Sequence, residues 1–277
     1  MDDLRPFLRR RPDGRCRLMG ILNVTPDSFH AASRVDLDSA VNRGLKMWSS
    51  GADWIDVGGE STRPGAEPVD EIQEMGRVIP VIQALRKANP TGLISIDTRR
   101  AEVAKAALDA GANLINDVSG LRDPAMEALV LEQGCAVCIM HMQGEPGNMQ
   151  QNPTYENVFE EVYDSLTNTA NRLVDKGHES SLICLDPGIG FGKSLTHNLE
   201  LLHERSDSNY SILWGVSRKS MFAQLLGRND SEQRLAGTLG VAAHAMLEGV
   251  DLLRVHDVEA HNDLLTTLAT LRPELDS

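Results

Sequence analysis

Several residues able to bind or react stand at regular places along this 277-residue chain, each at the end of a short apolar run. They are Asn23, the segment Glu60-Ser61-Thr62-Arg63, Asp97, Asn116-Asp117, His141, Asp186, Ser217-Arg218-Lys219, and Arg254 with His256. One Asp in such a place could cap the next helix, and one Asn could satisfy a loop backbone. A whole series asks for more, because a carboxylate buried without a partner is costly. Asp97, Asn116 and Asp186 together offer acceptors and donors to a flat heterocycle with amidine-like N–H groups, since one carboxylate accepts two parallel hydrogen bonds. Lys219, Arg254 and His256 supply cationic donors suited to an anion such as phosphate.

The runs before these residues are predicted strands: Leu18 to Val24, Trp54 to Gly58, Leu93 to Asp97, Leu114 to Val118, Ala136 to His141, Leu182 to Asp186, Ile212 to Val216 and Leu252 to His256. Their continuous apolar character is that of parallel strands covered on both faces. Amphipathic segments lie between them, among them Asp70 to Ala88, Arg99 to Ala110, Tyr155 to Lys176 and Ser231 to Glu248. Gly51, Gly111, Gly134, Gly177 and Gly249 fall where helices should end and the backbone needs φ > 0. Eight such units without a linker predict a single (β/α)8 TIM barrel over residues 17–277, of the α/β class, preceded by a solvated N-terminal arm, residues 1–16. In that architecture the active site lies at the C-terminal ends of the strands, where the polar residues fall, with phosphate usually held near the seventh and eighth.

Other features narrow the function. A net charge of −13 argues against nucleic acid and anionic membranes as partners, and no apolar window is long enough to span a bilayer. The four cysteines sit in or beside apolar runs, so reduced, buried thiols in the cytoplasm are expected; Cys135 and Cys138 should point to opposite faces of a strand. Pro187 to Ser194 mimics a phosphate-binding loop, but such loops belong to open sheets, and a flexible substrate loop is expected instead. The eight histidines show no metal-ligand spacing, and His197, His203 and His244 read as ordinary helix residues.

The motifs from Met19 to Val258 resemble those of the dihydropteroate synthase family of pterin-binding enzymes. The matching segments are Met19 to Phe29, Asp56 to Ala66, Ile96-Asp97-Thr98, Ile115-Asn116-Asp117, Met140 to Gly144, Asp186 to Lys193, Ser217 to Ser220 and Arg254 to Asp257. The resemblance implies transfer of a pterinylmethyl group from dihydropterin pyrophosphate to p-aminobenzoate by a homodimer. It implies Asp97, Asn116, Asp186 and Lys219 on the pterin edge, with Val118, Met140, Phe191 and Gly215 around its ring. Asn23 would help hold a magnesium ion on the pyrophosphate, whose oxygens would meet Thr62, Arg254 and His256. Phe29, Thr62, Arg63, Pro64, Phe191 and Ser220 would shape the p-aminobenzoate pocket once the first two loops close, and Asp97, Lys219, Arg254 and His256 would carry the chemistry.

The chain departs from the family in one place. After Phe29 the family usually continues Ser-Asp-Gly-Gly, whereas here stand His30-Ala31-Ala32-Ser33, about one residue short before Asp38. Two other readings stand beside it: a barrel sharing the Asp-Asn-Asp floor that passes a methyl group to a corrinoid protein, and a catalytically silent paralogue that binds pterin or a partner, which the altered first loop supports. The cationic Ser-Arg-Lys-Ser segment favours a pyrophosphate leaving group over a methyl donor.

Overall fold

The computed structural model describes residues 3–24, 34–60, 69–145, 147–204 and 206–272. Its strands are β1 (Arg17–Asn23), β2 (Trp54–Gly58), β3 (Leu93–Asp97), β4 (Leu114–Asp117), β5 (Ala136–Met140), β6 (Ile183–Asp186), β7 (Ser211–Trp214) and β8 (Leu252–Val255). They close in sequence order into a parallel barrel, β8 pairing with β1. The surrounding helices are α1 (Arg34–Ser49), α2 (Glu71–Ala88), α3 (Ala101–Asp109), α4 (Pro124–Gln133), α5 (Val158–Asp175), α6 (Leu195–His203), α7 (Met221–Leu226), α8 (Leu235–Leu247) and α9 (Val258–Leu271).

Alternation along each strand divides the core in two. Leu18, Leu22, Ile55, Val57, Ile94 and Ile96 face outward and pack under the helices. Met19, Trp54, Leu93, Leu114, Leu213 and Leu252 fill the barrel interior. Cys135 joins the outer cluster and Cys138 the inner one, so the pair points to opposite faces, and all four thiols are free and buried. Asp70 caps α2 by accepting from Gln73 N, and Asn157 caps α5 by accepting from Glu160 N. The five glycines expected at helix ends all have positive φ.

Two expectations change. The N-terminal arm is no solvated tail: Leu4 and Leu8 are buried among the interior residues, with Phe7 packed beside them. Its basic residues are used there, since Arg11 and Arg17 both pair with Asp53, and Arg17 Nε also donates to the carbonyls of Pro6 and Arg9. An open barrel end exposes apolar side chains, and the arm plugs it. The helix expected from Ser231 to Glu248 starts instead with a 3-10 turn, Ser231–Arg234, before α8. Asp230 accepts from Glu232 N and begins that turn.

Candidate active site

The interior changes character toward the C-terminal ends of the strands. On the inward face of β2, Trp54 is followed by Asp56 and then Gly58; on β3, Leu93 gives way to Ser95 and Asp97. Asp56 is fully buried, and its Oδ2 accepts from Arg254 Nε at 2.6 Å and from Asn116 Nδ2 at 3.1 Å. Arg254 Nη2 reaches Asp97 Oδ2 at 2.5 Å. One guanidinium therefore bridges two carboxylates, one of which also accepts from the Asn116 amide. Burial pushes the Asp97 carboxyl up to about 7, against the pull of Arg254.

Asp186 ends β6 and is likewise raised by burial. Its Oδ1 accepts from Gly188 N at 2.7 Å. A Cβ on Gly215 would stand 3.6 Å from Oδ2, so the glycine leaves that oxygen approachable. Lys219 completes the set from the turn after β7, where Arg218 takes φ 57, a left-handed conformation that costs a non-glycine residue about 1–3 kcal/mol. The fork from Arg218 to Asp257, at 2.6 and 2.9 Å, and the bond from Arg218 N to Thr238 Oγ1 hold that turn. Lys219 Nζ lies 3.9 Å from the centre of the Phe191 ring. Burial draws this ammonium down to about 8, with Asp186 opposing.

Val118, Met140, Met142 and Met149 form a small apolar cluster on which Phe191 packs. Polar groups on one side and these side chains on the other suit a planar polar ring. His256 stands beside Ser217, its N and Nδ1 within 3.1 and 3.0 Å of the hydroxyl oxygen. Asn23 Oδ1 and Asp97 Oδ2 converge above Gly58, lying 3.7 and 3.5 Å from the point its Cβ would occupy. Among the described residues no three His, Cys, Asp or Glu side chains could cage a metal. One amide oxygen at the mouth fits a hard cation whose other ligands are water and a substrate's phosphates.

The structure thus gathers Asn23, Asp97, Asn116, Val118, Met140, Asp186, Phe191, Gly215, Lys219, Arg254 and His256 around one end of the barrel, with Ser220 exposed at the start of α7. Phe29, Thr62, Arg63, Pro64 and the altered His30 to Ser33 segment lie outside the described residues. Two polar strand ends serve the scaffold. Asp117 accepts from Ser119 and Leu121 backbone N–H groups, and Glu60 accepts from Arg99, Arg100 and Val69 N. Arg254, expected on phosphate oxygens, has two of its donors committed to Asp56 and Asp97. Asp56 and Arg218 were not expected as site residues. An acid inside an otherwise apolar β2 run was the available signal for Asp56, whereas Arg218 stood in the polar Ser217-Arg218-Lys219 strand end without a role of its own.

The comparisons with known proteins agree with this geometry. The pterin binding enzyme family matches residues 19–256. Dihydropteroate synthase of Haemophilus influenzae is 42% identical over 253 residues, covering 90% of this chain and 91% of that protein. The Xanthomonas albilineans dihydropteroate synthase solved with 4-aminobenzoic acid has a TM-score of 0.86 at 40% identity, covering 93% of each chain. The Burkholderia cenocepacia enzyme complexed with 7,8-dihydropteroate has a TM-score of 0.83 at 42% identity, covering 93% of this chain and 92% of that one. The chain belongs to the pterin-binding enzyme family, in its dihydropteroate synthase branch.

Proposed function

We propose that this chain transfers the 6-hydroxymethyl-7,8-dihydropterin group from its pyrophosphate to the amine of p-aminobenzoate, releasing pyrophosphate and forming 7,8-dihydropteroate. The observation that carries this reading is the joined floor in which Asp56 orients Asn116 and Arg254, and Arg254 reaches Asp97, opposite the Lys219 ammonium.

The reaction breaks the bond between the pterin methylene carbon and the pyrophosphate oxygen, and forms a carbon–nitrogen bond. Departure of the anion leaves positive charge on an electron-rich ring. Asp97 and Asp186 are already fixed where that charge develops, so they stabilise it without reorganising. In this reading Lys219 and His256 meet the leaving anion, and Arg254 does so with the donors that Asp56 and Asp97 leave over. Asn23 would hold magnesium, which when bound neutralises the leaving pyrophosphate. An aromatic amine is neutral at pH 7, so its lone pair needs no strong base, and the nitrogen sheds its proton after attack. The Val118, Met140 and Phe191 wall keeps water from one face of the ring.

Four buried free thiols support a reducing, cytoplasmic setting, and no helix among the described residues is long and apolar enough to cross a membrane. A homodimer belongs to the same reading. It is supported by Leu199, Leu225, Leu226 and Leu247, exposed on the neighbouring helices α6, α7 and α8. Mass spectrometry of the product tests the proposal: 7,8-dihydropteroate should accumulate from the two substrates. Tight binding of the pterin pyrophosphate without any condensed product would leave only a pterin-binding protein.

A further inference from the structure

The glycine-rich run after β6 is built as a braced corner, not the flexible loop its composition suggests. Gly188, Gly190 and Gly192 all have positive φ, at 66, 82 and 61°. A Cβ on Gly188 would stand 1.9 Å from the His141 carbonyl oxygen, and one on Gly192 2.6 Å from that of Gln143. The run therefore lies flush against the end of β5. Lys193, which closes it, is only 3% exposed. Its Nζ donates to the carbonyls of Phe191 and His141, at 3.0 and 3.4 Å, and to His141 Nδ1 at 3.1 Å.

Three N–H donors thus meet three acceptors, and the ammonium is satisfied without water. Acceptance at Nδ1 requires a neutral imidazole with its proton on Nε2. Burial first, then the charges of Lys193 and Arg122, push His141 down to about 3 and keep it neutral. Burial draws the Lys193 ammonium down to about 7, with Asp186 opposing the shift and Lys219 adding to it.

The two segments so joined both carry parts of the pocket. Met140 directly precedes His141, whose N–H donates to the Asp186 carbonyl at 2.9 Å. Phe191 is held at both backbone groups, its N–H by the Gly188 carbonyl at 3.0 Å and its carbonyl by Lys193. Its ring then lies against the Lys219 ammonium.

We infer that Lys193 is a positioning residue for the transfer reaction, its ammonium bracing Phe191 against the end of β5 so that the Phe191 ring and Lys219 shape the pocket of the aromatic amine. Only the identity of the amine rests on the synthase reading; the brace itself does not. It also gives a role to the buried lysine of a phosphate-loop-like motif.

The test uses the full-length chain. Lys193→Met should raise KM for p-aminobenzoate about tenfold or more, as expected for a displaced pocket wall. The Kd of the pterin pyrophosphate by calorimetry should rise by less than the KM for p-aminobenzoate, because Asp97, Asn116 and Asp186 still hold the pterin edge when the Phe191 ring moves. In a Phe191→Ala background the same change should add less than about twofold, because coupled residues are not additive. His141→Leu should reproduce the defect, and His141→Gln, whose amide oxygen can accept from Lys193, should recover most of it. In NMR titrations the His141 ring should protonate at higher pH in Lys193→Met than in the parent protein.

A KM for p-aminobenzoate within twofold of the parent in Lys193→Met, or an effect undiminished in Phe191→Ala, would overturn the inference. So would an unmoved His141 titration. If Lys193→Met does not fold, the His141→Leu and His141→Gln pair decides in its place: equal kinetics for the two would contradict the brace. A parent protein that releases no pyrophosphate sinks the synthase reading, while the His141 titration still reports on the brace.

Discussion

Asp56→Asn changes the centre of the polar floor at nearly constant volume. The oxygen concerned accepts from Arg254 Nε at 2.6 Å and Asn116 Nδ2 at 3.1 Å. Hydrogen bonds to a charged group contribute about 1.5–3 kcal/mol each, which sets a ceiling of about 3–6 kcal/mol for the two. Two facts lower it. Arg254 keeps Asp97 at 2.5 Å, and the new amide oxygen can still accept one of the bonds. About half remains, roughly 1.5–3 kcal/mol, equivalent to a loss of about 10- to 150-fold in kcat/KM for the pterin pyrophosphate. Part of that loss arises because the Asn116 amide becomes free to turn over, presenting N–H where its oxygen stood. The assay is steady-state kinetics with the pterin substrate varied, beside a thermal melt. The same energy lowers the melting temperature by about 3–12 °C, so the variant should be folded at the assay temperature. A folded variant with kcat/KM within threefold of the parent would refute the role given to Asp56.

Other predictions concern the rest of the molecule. Leu8→Ala removes a fully buried plug residue and should cost about 2–5 kcal/mol of stability; kcat/KM should not change, because the site is at the opposite barrel end, and a kinetic loss would refute that separation. The pH profile of kcat/KM for the pterin pyrophosphate should rise through about 7 as Asp97 loses its proton and fall through about 8 as Lys219 loses its own; Lys219→Arg should move the alkaline limb upward. Because Asp97 is raised from 3.8 to about 7, the native state holds a proton that the unfolded chain has released, so its contribution to stability falls as pH climbs through that window. Urea melts should show this slope, and Asp97→Asn should flatten it while lowering kcat. Chelation should depress turnover and added magnesium restore it, with Asn23→Ala raising the magnesium requirement; turnover indifferent to chelator would remove the ion from the account.

The sequence disclosed the barrel well because each strand is an apolar run bounded by a glycine or polar residue. Trp54–Gly58 and Leu93–Asp97 have the expected limits. The run from Ile212 overshot: β7 ends at Trp214, where its pairing with β8 ends, while Gly215 and Val216 continue apolar into the turn. The arm was misread because its basic residues suggest solvent, whereas Leu4, Phe7 and Leu8 are spaced to fill the barrel end and Arg11 and Arg17 pair with Asp53, just before β2. At the site, residue types at strand ends pointed to Asp97, Asn116, Asp186 and Lys219. The links between them were not legible, since Asp56 meets Arg254 across 198 positions and Lys193 meets His141 across 52. Only barrel closure brings those pairs together.

The most direct test of the central claim is the stoichiometry of pyrophosphate release with p-aminobenzoate limiting. One pyrophosphate per p-aminobenzoate consumed, matched by one 7,8-dihydropteroate, is the predicted result. Binding of the pterin pyrophosphate with no p-aminobenzoate-dependent release would contradict it.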